Sequence, residues 1–101
     1  NVGGTDMRPF PVPIQVTTIY TESRGNVVLS TVELRFNNGS PTRFETALFW
    51  DADEKNPDDA GNIVVENTTS KDMAYRNHTW WENTQAIESR IHRSIEDLRK
   101  Q

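Results

Sequence analysis

Residues 26–36 alternate between apolar and polar side chains, and this alternation constrains the fold more than any other feature. The even positions are mostly apolar, and the odd positions toward the end of the segment are polar. The apolar residues are Val28, Val32, Leu34 and Phe36. A period of two is typical of an antiparallel strand that buries one face. We therefore expect a half-buried strand whose even-numbered side chains face the core.

Two further segments of strand type stand on either side of this one. Residues 14–21 and residues 42–50 are rich in β-branched and aromatic side chains, which favour extended structure. Turn-forming residues separate the three segments at 22–25 and at 37–41, where Asn and Gly accept a positive φ. Connections this short predict an antiparallel meander.

The segments around this meander are shorter or richer in proline. Residues 1–13 carry three prolines and two glycines, so we interpret them as an extended arm ahead of a single domain over residues 14–101. A short fourth strand is predicted over residues 62–66. Residues 73–78 are either a fifth strand or a lead-in to the next element.

The C-terminal segment has the apolar spacing of a helix. Its apolar residues recur at intervals of four, four and three: Ile87, Ile91, Ile95 and Leu98. This stripe predicts an amphipathic helix over residues 80–99, capped either by a capping box at Thr79 or, alternatively, by Asn83. The predicted fold class is α+β, a small antiparallel sheet of three to five strands with the C-terminal helix packed on one face.

The same patterns predict a core and an uncovered surface. The residues expected to be most buried are Val32, Leu34, Phe44, Leu48, Ile87 and Ile91. One helix covers only one face of a sheet, so Ile19, Val27 and Phe49 are expected on the other face. An exposed apolar patch of this kind usually marks an interface. We therefore expect a homo-oligomer, most simply a dimer.

Composition argues against several classes of protein. The chain has 101 residues and a net charge of −4, which disfavours general nucleic-acid binding because that function needs a basic surface. No apolar run approaches the roughly 20 residues of a membrane span, so no membrane partner is expected. The sequence contains no cysteine, which in a domain of this size favours a reducing compartment.

The sequence contains no complete motif for catalysis, for metal binding or for cofactor binding. The acidic loop that starts at Asp51 begins like a calcium loop, but Asn56 and Asn62 stand where Gly and Glu are required. The two histidines, His78 and His92, lack the spacing of a metal-binding pair. The sequence has neither a nucleophile elbow nor a glycine-rich phosphate loop. We expect no metal, no cofactor and no enzymatic activity.

The segment from Tyr75 to Trp81 concentrates aromatic, guanidinium and imidazole groups. This mixture suits stacking on a planar ring and binding of a phosphate, and it equally suits a protein–protein hot spot. The third interpretation is packing onto the sheet. Because neighbouring residues on a helix point about 100° apart, at least one of the two tryptophans is expected to be exposed. The predicted ligand-binding residues are Arg43, Tyr75, Arg76, His78, Trp80, Trp81 and Arg90.

Part of the sequence resembles a family of small phage-encoded proteins. The residues that carry the resemblance are Ser30-Thr31-Val32-Glu33-Leu34, Gly39-Ser40-Pro41 and Phe44-Glu45-Thr46-Ala47-Leu48-Phe49, with Tyr75 and Ala86-Ile87 at the positions of the family's later elements. The resemblance covers residues 15–92. Ala47 replaces the usual Met of the family, and Ser89-Arg90 replaces its usual Gly-His pair. Most members of the family have no known activity.

The resemblance implies a phage or prophage context and the cytoplasm of a bacterial host. Small phage accessory proteins commonly act by stoichiometric binding, which implies a counter-defence or host-takeover protein. Its target is then a small anionic ligand, such as a nucleotide-derived immune signal, or a host protein. The alternative is a protein–protein interaction factor or a structural or assembly factor of the virion.

Overall fold

The computed structural model describes residues 8–52 and 60–100 and has an α+β fold. Its elements in chain order are β1 (Phe10–Thr21), β2 (Gly25–Arg35), β3 (Arg43–Trp50), β4 (Gly61–Thr68), α1 (Lys71–Trp81) and α2 (Thr84–Arg99). The predicted fold class is confirmed, and α2 corresponds to the predicted C-terminal helix. Most of the predicted arm, residues 1–7, and most of the acidic loop, residues 53–59, lie outside the described residues.

The sheet is an antiparallel meander in the order β1-β2-β3-β4. Leu29 of β2 lies opposite Thr17 of β1 and Leu48 of β3. Leu48 in turn lies opposite Ile63 of β4, a strand that is longer than predicted. Directly opposed residues share a face of the sheet, so this row of four side chains points to one side.

The buried face of β2 is the opposite of the one predicted from the alternation. Val27, Leu29 and Thr31 are fully buried, whereas Val32 and Leu34 are only half-buried. The prediction was wrong because Thr31 was expected to face solvent. Its hydroxyl has buried hydrogen-bond partners instead, which offset the cost of removing it from water. The even-numbered apolar side chains of β2 therefore line the other face of the sheet.

The core lies between the sheet and the two helices. Its buried residues are Val27, Leu29, Leu48, Trp50, Trp81, Ile87, Ile91 and Ile95. Four of the residues expected to be most buried are confirmed, namely Phe44, Leu48, Ile87 and Ile91. Ile19 and Val27 were wrongly predicted for the uncovered face. They pair across β1 and β2 in the same row as Trp50, so they face the helices, and only Phe49 stays on the uncovered face.

The chain before α2 is helical where a fifth strand or a lead-in was predicted. Residues 73–78 lie within α1, which begins after Ser70. The Ser70 hydroxyl accepts a hydrogen bond from the backbone N–H of Met73 at 3.2 Å and so caps the helix. Thr79 is not a cap, because it lies inside α1 and its hydroxyl donates to the Tyr75 carbonyl at 3.1 Å.

The second helix begins at the alternative start that the sequence offered. Asn83 caps α2 by accepting a hydrogen bond from the N–H of Ala86 at 3.1 Å. The predicted apolar stripe is buried at Ile87, Ile91 and Ile95, whereas Leu98 is 66% exposed. The carboxylate of Glu88 accepts a hydrogen bond from the N–H of Glu22 at 3.0 Å, which ties α2 to the β1–β2 turn.

The first strand begins at Phe10, inside the segment interpreted as an arm. Pro11 and Pro13 pair with Leu34 and Val32 in the register of β1 and β2. Proline is tolerated there because β1 is an edge strand, where the N–H that proline lacks is not needed for a second ladder. The register shifts directly after Pro13.

Candidate functional site

The outward side of α1 carries an aromatic and basic surface. Tyr75, Arg76, Thr79 and Trp80 line a wide, open depression on this side of the helix. They are neighbours because residues three and four apart in a helix lie on the same side. Trp80 is 61% exposed and Tyr75 is 39% exposed, which is unusual for large aromatic side chains. Three of the predicted ligand-binding residues therefore do lie together.

The two adjacent tryptophans have different environments, as the helical geometry predicted. Trp81 is only 8% exposed, belongs to the core, and donates from Nε1 to the Glu66 carboxylate at 3.2 Å. The rings of Trp80 and Trp81 meet edge to face, with centroids 5.0 Å apart and planes inclined by 75°. This arrangement is favourable for aromatic pairs. The ring of the buried Trp81 therefore packs against the ring of the exposed Trp80.

The inward side of α1 carries a buried histidine. His78 is fully buried, with Nε2 2.9 Å from the Thr17 hydroxyl and Nδ1 2.8 Å from the Thr31 hydroxyl. The Thr31 hydroxyl also lies 2.8 Å from the hydroxyl of Thr46. One imidazole therefore connects α1 to three neighbouring strands through three threonine side chains. A histidine in this position has no access to a ligand at the surface.

Burial also sets the protonation state of this histidine. Loss of hydration lowers the pKa of His78 below the usual histidine value of about 6.5, and the Glu82 carboxylate opposes this shift to a smaller extent. The imidazole is neutral at pH 7 as a result. A neutral ring has one donor and one acceptor nitrogen, and the two threonine hydroxyls satisfy both.

The two outlying arginines of the predicted site do not join the surface of α1. Arg43 lies at the start of β3, beside Phe36, Pro41 and Thr69. Arg90 lies on α2 and donates to the Ser94 hydroxyl at 2.8 Å. The structure therefore brings together Tyr75, Arg76 and Trp80. It buries His78 and Trp81 beneath them and places Arg43 and Arg90 in separate depressions.

Two other features, a metal site and a membrane-spanning helix, are absent from the described part of the chain. Within residues 8–52 and 60–100, no three His, Asp or Glu side chains are grouped so that they can hold a metal ion. No helix in these ranges is long and apolar enough to cross a membrane. No protein-family model, curated protein or solved structure matches this chain.

Sequence reasoning missed two features of this region. Met73 is 46% exposed, and its spacing from Arg76 and Trp80 extends the apolar surface by one helical turn. The helical spacing of Met73, Arg76 and Trp80 is the signal that could have revealed this surface. It was missed because residues 73–78 had been assigned to a strand or a lead-in. The threonine network was also missed, because Thr31 and Thr46 were interpreted only as strand-forming residues.

Proposed function

We propose that this chain is a non-catalytic binding protein that recognises a partner protein through α1. The contact surface consists of Met73, Tyr75, Arg76, Thr79 and Trp80, and we call it the α1 recognition face. The observation that carries the proposal is the 61% exposure of Trp80 beside a partly exposed tyrosine and an arginine. Trp, Tyr and Arg are the side chains most enriched in the energetic centres of protein interfaces.

A protein partner suits this face better than a nucleotide does. Sites for small molecules bury about 70–90% of the ligand within a concave pocket, whereas this depression is wide and open. Two of the residues expected to stack on a ring or bind a phosphate, His78 and Trp81, are buried. The side chain of Asn83 already accepts a hydrogen bond from the N–H of Ala86 in the first turn of α2, so this N–H is not free to bind a phosphate. A flat face with a rigid aromatic anchor is the arrangement that favours a macromolecular contact.

The rigidity of the support favours binding without rearrangement. Trp80 rests on Trp81, which is fixed by packing in the core and by its hydrogen bond to Glu66. The other side of α1 is held by His78 through Thr17 and Thr31. A preorganised contact surface avoids the entropic cost of ordering side chains on association. In the phage setting that the resemblance implies, the partner is a host protein that is blocked stoichiometrically.

Affinity capture with matched variants tests the proposal. Wild-type protein, Trp80→Ala and Leu98→Ala are immobilised and exposed to the same bacterial lysate. Leu98 is the control because it is 66% exposed, similar to Trp80, but lies near the end of α2. We expect one protein to be retained in stoichiometric amount by the wild type and by Leu98→Ala. Its affinity for Trp80→Ala, measured with the purified partner, should be at least about tenfold lower.

Two results would contradict the proposal. The first is retention of the same partner by Trp80→Ala and by the wild type with equal affinity, which would place the contact elsewhere. The second is a saturable change in tryptophan fluorescence on titration with linear or cyclic nucleotides that disappears in Arg76→Ala. That second result would identify the face as a nucleotide site and would favour sequestration of a signal molecule.

A further inference from the structure

The turn between β2 and β3 contains the only asparagine of the sequence that is followed by glycine. Asn38 and Gly39 stand in this turn, and both are exposed to solvent together with Ser40. An asparagine before glycine is chemically distinctive, because the next backbone nitrogen can close a small ring on the side-chain amide and glycine has no side chain to obstruct the approach. The pair therefore combines an amide that can react with free access of water.

The conformation of the turn brings the reacting groups together. Oδ1 of Asn38 accepts a hydrogen bond from the backbone N–H of Ser40 at 3.0 Å. This contact closes a ring of atoms that contains both Cγ of Asn38 and the backbone nitrogen of Gly39, so the side chain is folded back over the peptide group that can attack it. Gly39 has a φ of +81°, and beyond its two chain neighbours no described group lies within 4 Å of the place that a Cβ would occupy. The turn therefore leaves room for the attack.

The same hydrogen bond stabilises the charge that develops during this attack. As the Gly39 nitrogen adds to Cγ of Asn38, the side-chain oxygen Oδ1 gains negative charge. The N–H of Ser40 already points at this oxygen, in the way that the donors of an oxyanion hole do. Because the donor is in place before the reaction, it lowers the barrier without a rearrangement of the turn.

We propose that Asn38 is a site of spontaneous deamidation through a cyclic imide. The Gly39 nitrogen forms a bond to Cγ of Asn38, the bond from Cγ to Nδ2 breaks, and the proton of the Gly39 amide leaves with Nδ2 as ammonia. Water then opens the imide. Cleavage between Cγ and the Gly39 nitrogen gives aspartate, whereas cleavage between the backbone carbonyl carbon and that nitrogen gives isoaspartate, in which the main chain runs through Cγ.

The other asparagines of the described chain stand in less reactive settings. Those that lie in regular secondary structure are Asn26, Asn62, Asn67 and Asn77. Asn83 uses its side chain to cap α2. Every asparagine of the sequence except Asn38 is followed by a residue with a side chain, which crowds the attacking backbone nitrogen. The reaction is therefore expected to be selective for Asn38.

The reaction changes the charge and the length of the turn but leaves the sheet intact. Both products add one negative charge to a chain whose net charge is −4. Isoaspartate also adds one carbon atom to the main chain of the turn. The paired residues of β2 and β3 end at Leu34 and Arg43, so the added atom lies outside the ladder. The products should therefore keep the fold and the α1 recognition face, which belongs to a different element.

Incubation of the folded protein at neutral pH, followed by peptide mapping, tests the proposal. Trypsin cleaves after Arg35 and Arg43 and so releases residues 36–43 as one peptide. Chromatography separates its asparagine, aspartate and isoaspartate forms, and fragmentation in the mass spectrometer assigns the change to Asn38. We expect Asn38 to convert at least about tenfold faster than any other asparagine, with isoaspartate among the products.

Two variants make the test specific to the cyclic route. Gly39→Ala places a methyl group beside the attacking nitrogen and should slow the conversion by at least about tenfold, with circular dichroism as the check of folding. Asn38→Ser keeps an oxygen that can accept from the Ser40 N–H but has no amide, so its peptide over residues 36–43 should show no change at position 38. An unchanged rate in a folded Gly39→Ala would overturn the route through the imide.

The unfolded chain supplies the remaining comparison. The wild type is incubated in parallel in concentrated urea, where the contact between Asn38 and Ser40 is lost. Conversion of Asn38 in urea but not in the folded protein would overturn the proposal, because the fold would then protect the side chain. Conversion of another asparagine at the same rate in the folded protein would overturn it as well.

Discussion

The imidazole Nδ1 of His78 lies 2.8 Å from the hydroxyl of Thr31, although the two residues are 47 positions apart in the chain. Both side chains are fully buried. The contact joins α1 to the second strand at the centre of the sheet, directly beneath the α1 recognition face. It therefore links the stability of the domain to the position of its exposed aromatic residues.

Removal of this imidazole should destabilise the fold substantially. His78→Ala leaves the Thr17 and Thr31 hydroxyls without their partner and opens a cavity under α1. We expect the free energy of unfolding to fall by roughly 2–5 kcal/mol, measured by urea denaturation. His92→Ala is the control, since that side chain is 74% exposed and pairs with Glu96 on the surface. Its effect should be within about 0.5 kcal/mol, and equal losses for the two variants would contradict this account.

Acid should weaken the fold through the same residue. The pKa of His78 in the folded state is lowered by burial, so the unfolded state takes up a proton at higher pH than the folded state does. The stabilisation is complete above the unfolded value of about 6.5 and is lost as the pH falls toward the folded pKa. We expect the free energy of unfolding to decrease with a slope of up to about 1.4 kcal/mol per pH unit in that window.

The histidine variant provides the control for this pH dependence. Urea denaturation of His78→Gln at a series of pH values should show a flatter profile below about pH 6.5, the usual histidine pKa, than the wild type does. The glutamine retains a donor and an acceptor but does not titrate. A wild-type profile that is flat in this window would refute the assignment of the pH dependence to His78.

The face of β2 that packs against the helices is also testable by paired substitutions. Leu29 is fully buried against the helices, whereas Leu34 in the same strand is half-buried on the opposite face of the sheet. Leu29→Ala should lower the free energy of unfolding by roughly 2–5 kcal/mol, and Leu34→Ala by less than half as much. Thermal or urea unfolding of the two variants decides the matter. A larger loss for Leu34→Ala would favour the face predicted from the alternation.

One property of the candidate site could be predicted from local helical geometry. Adjacent tryptophans on a helix point in different directions, so the exposure of one of them was predictable. The identity of the exposed one was not, because both tryptophans had been assigned to the start of the C-terminal helix, whereas they end a separate helix, α1, which begins at Lys71. Within α1, Trp80 points outward and His78 lies in the core. Long-range packing against β2 and β3 decided both outcomes.

The sequence by itself determined the α+β class, the antiparallel meander and the apolar stripe of α2. These properties depend on short-range regularities, namely the period of two in strands, the period of 3.6 in helices and the conformations of Asn and Gly in turns. Only the tertiary structure decided which face of β2 is buried. Thr31 is polar in isolation, but His78 and Thr46 satisfy its hydroxyl, and the cost of burying it then disappears. A hydrogen bond between residues far apart in the chain leaves no local pattern, so the alternation alone pointed to the wrong face.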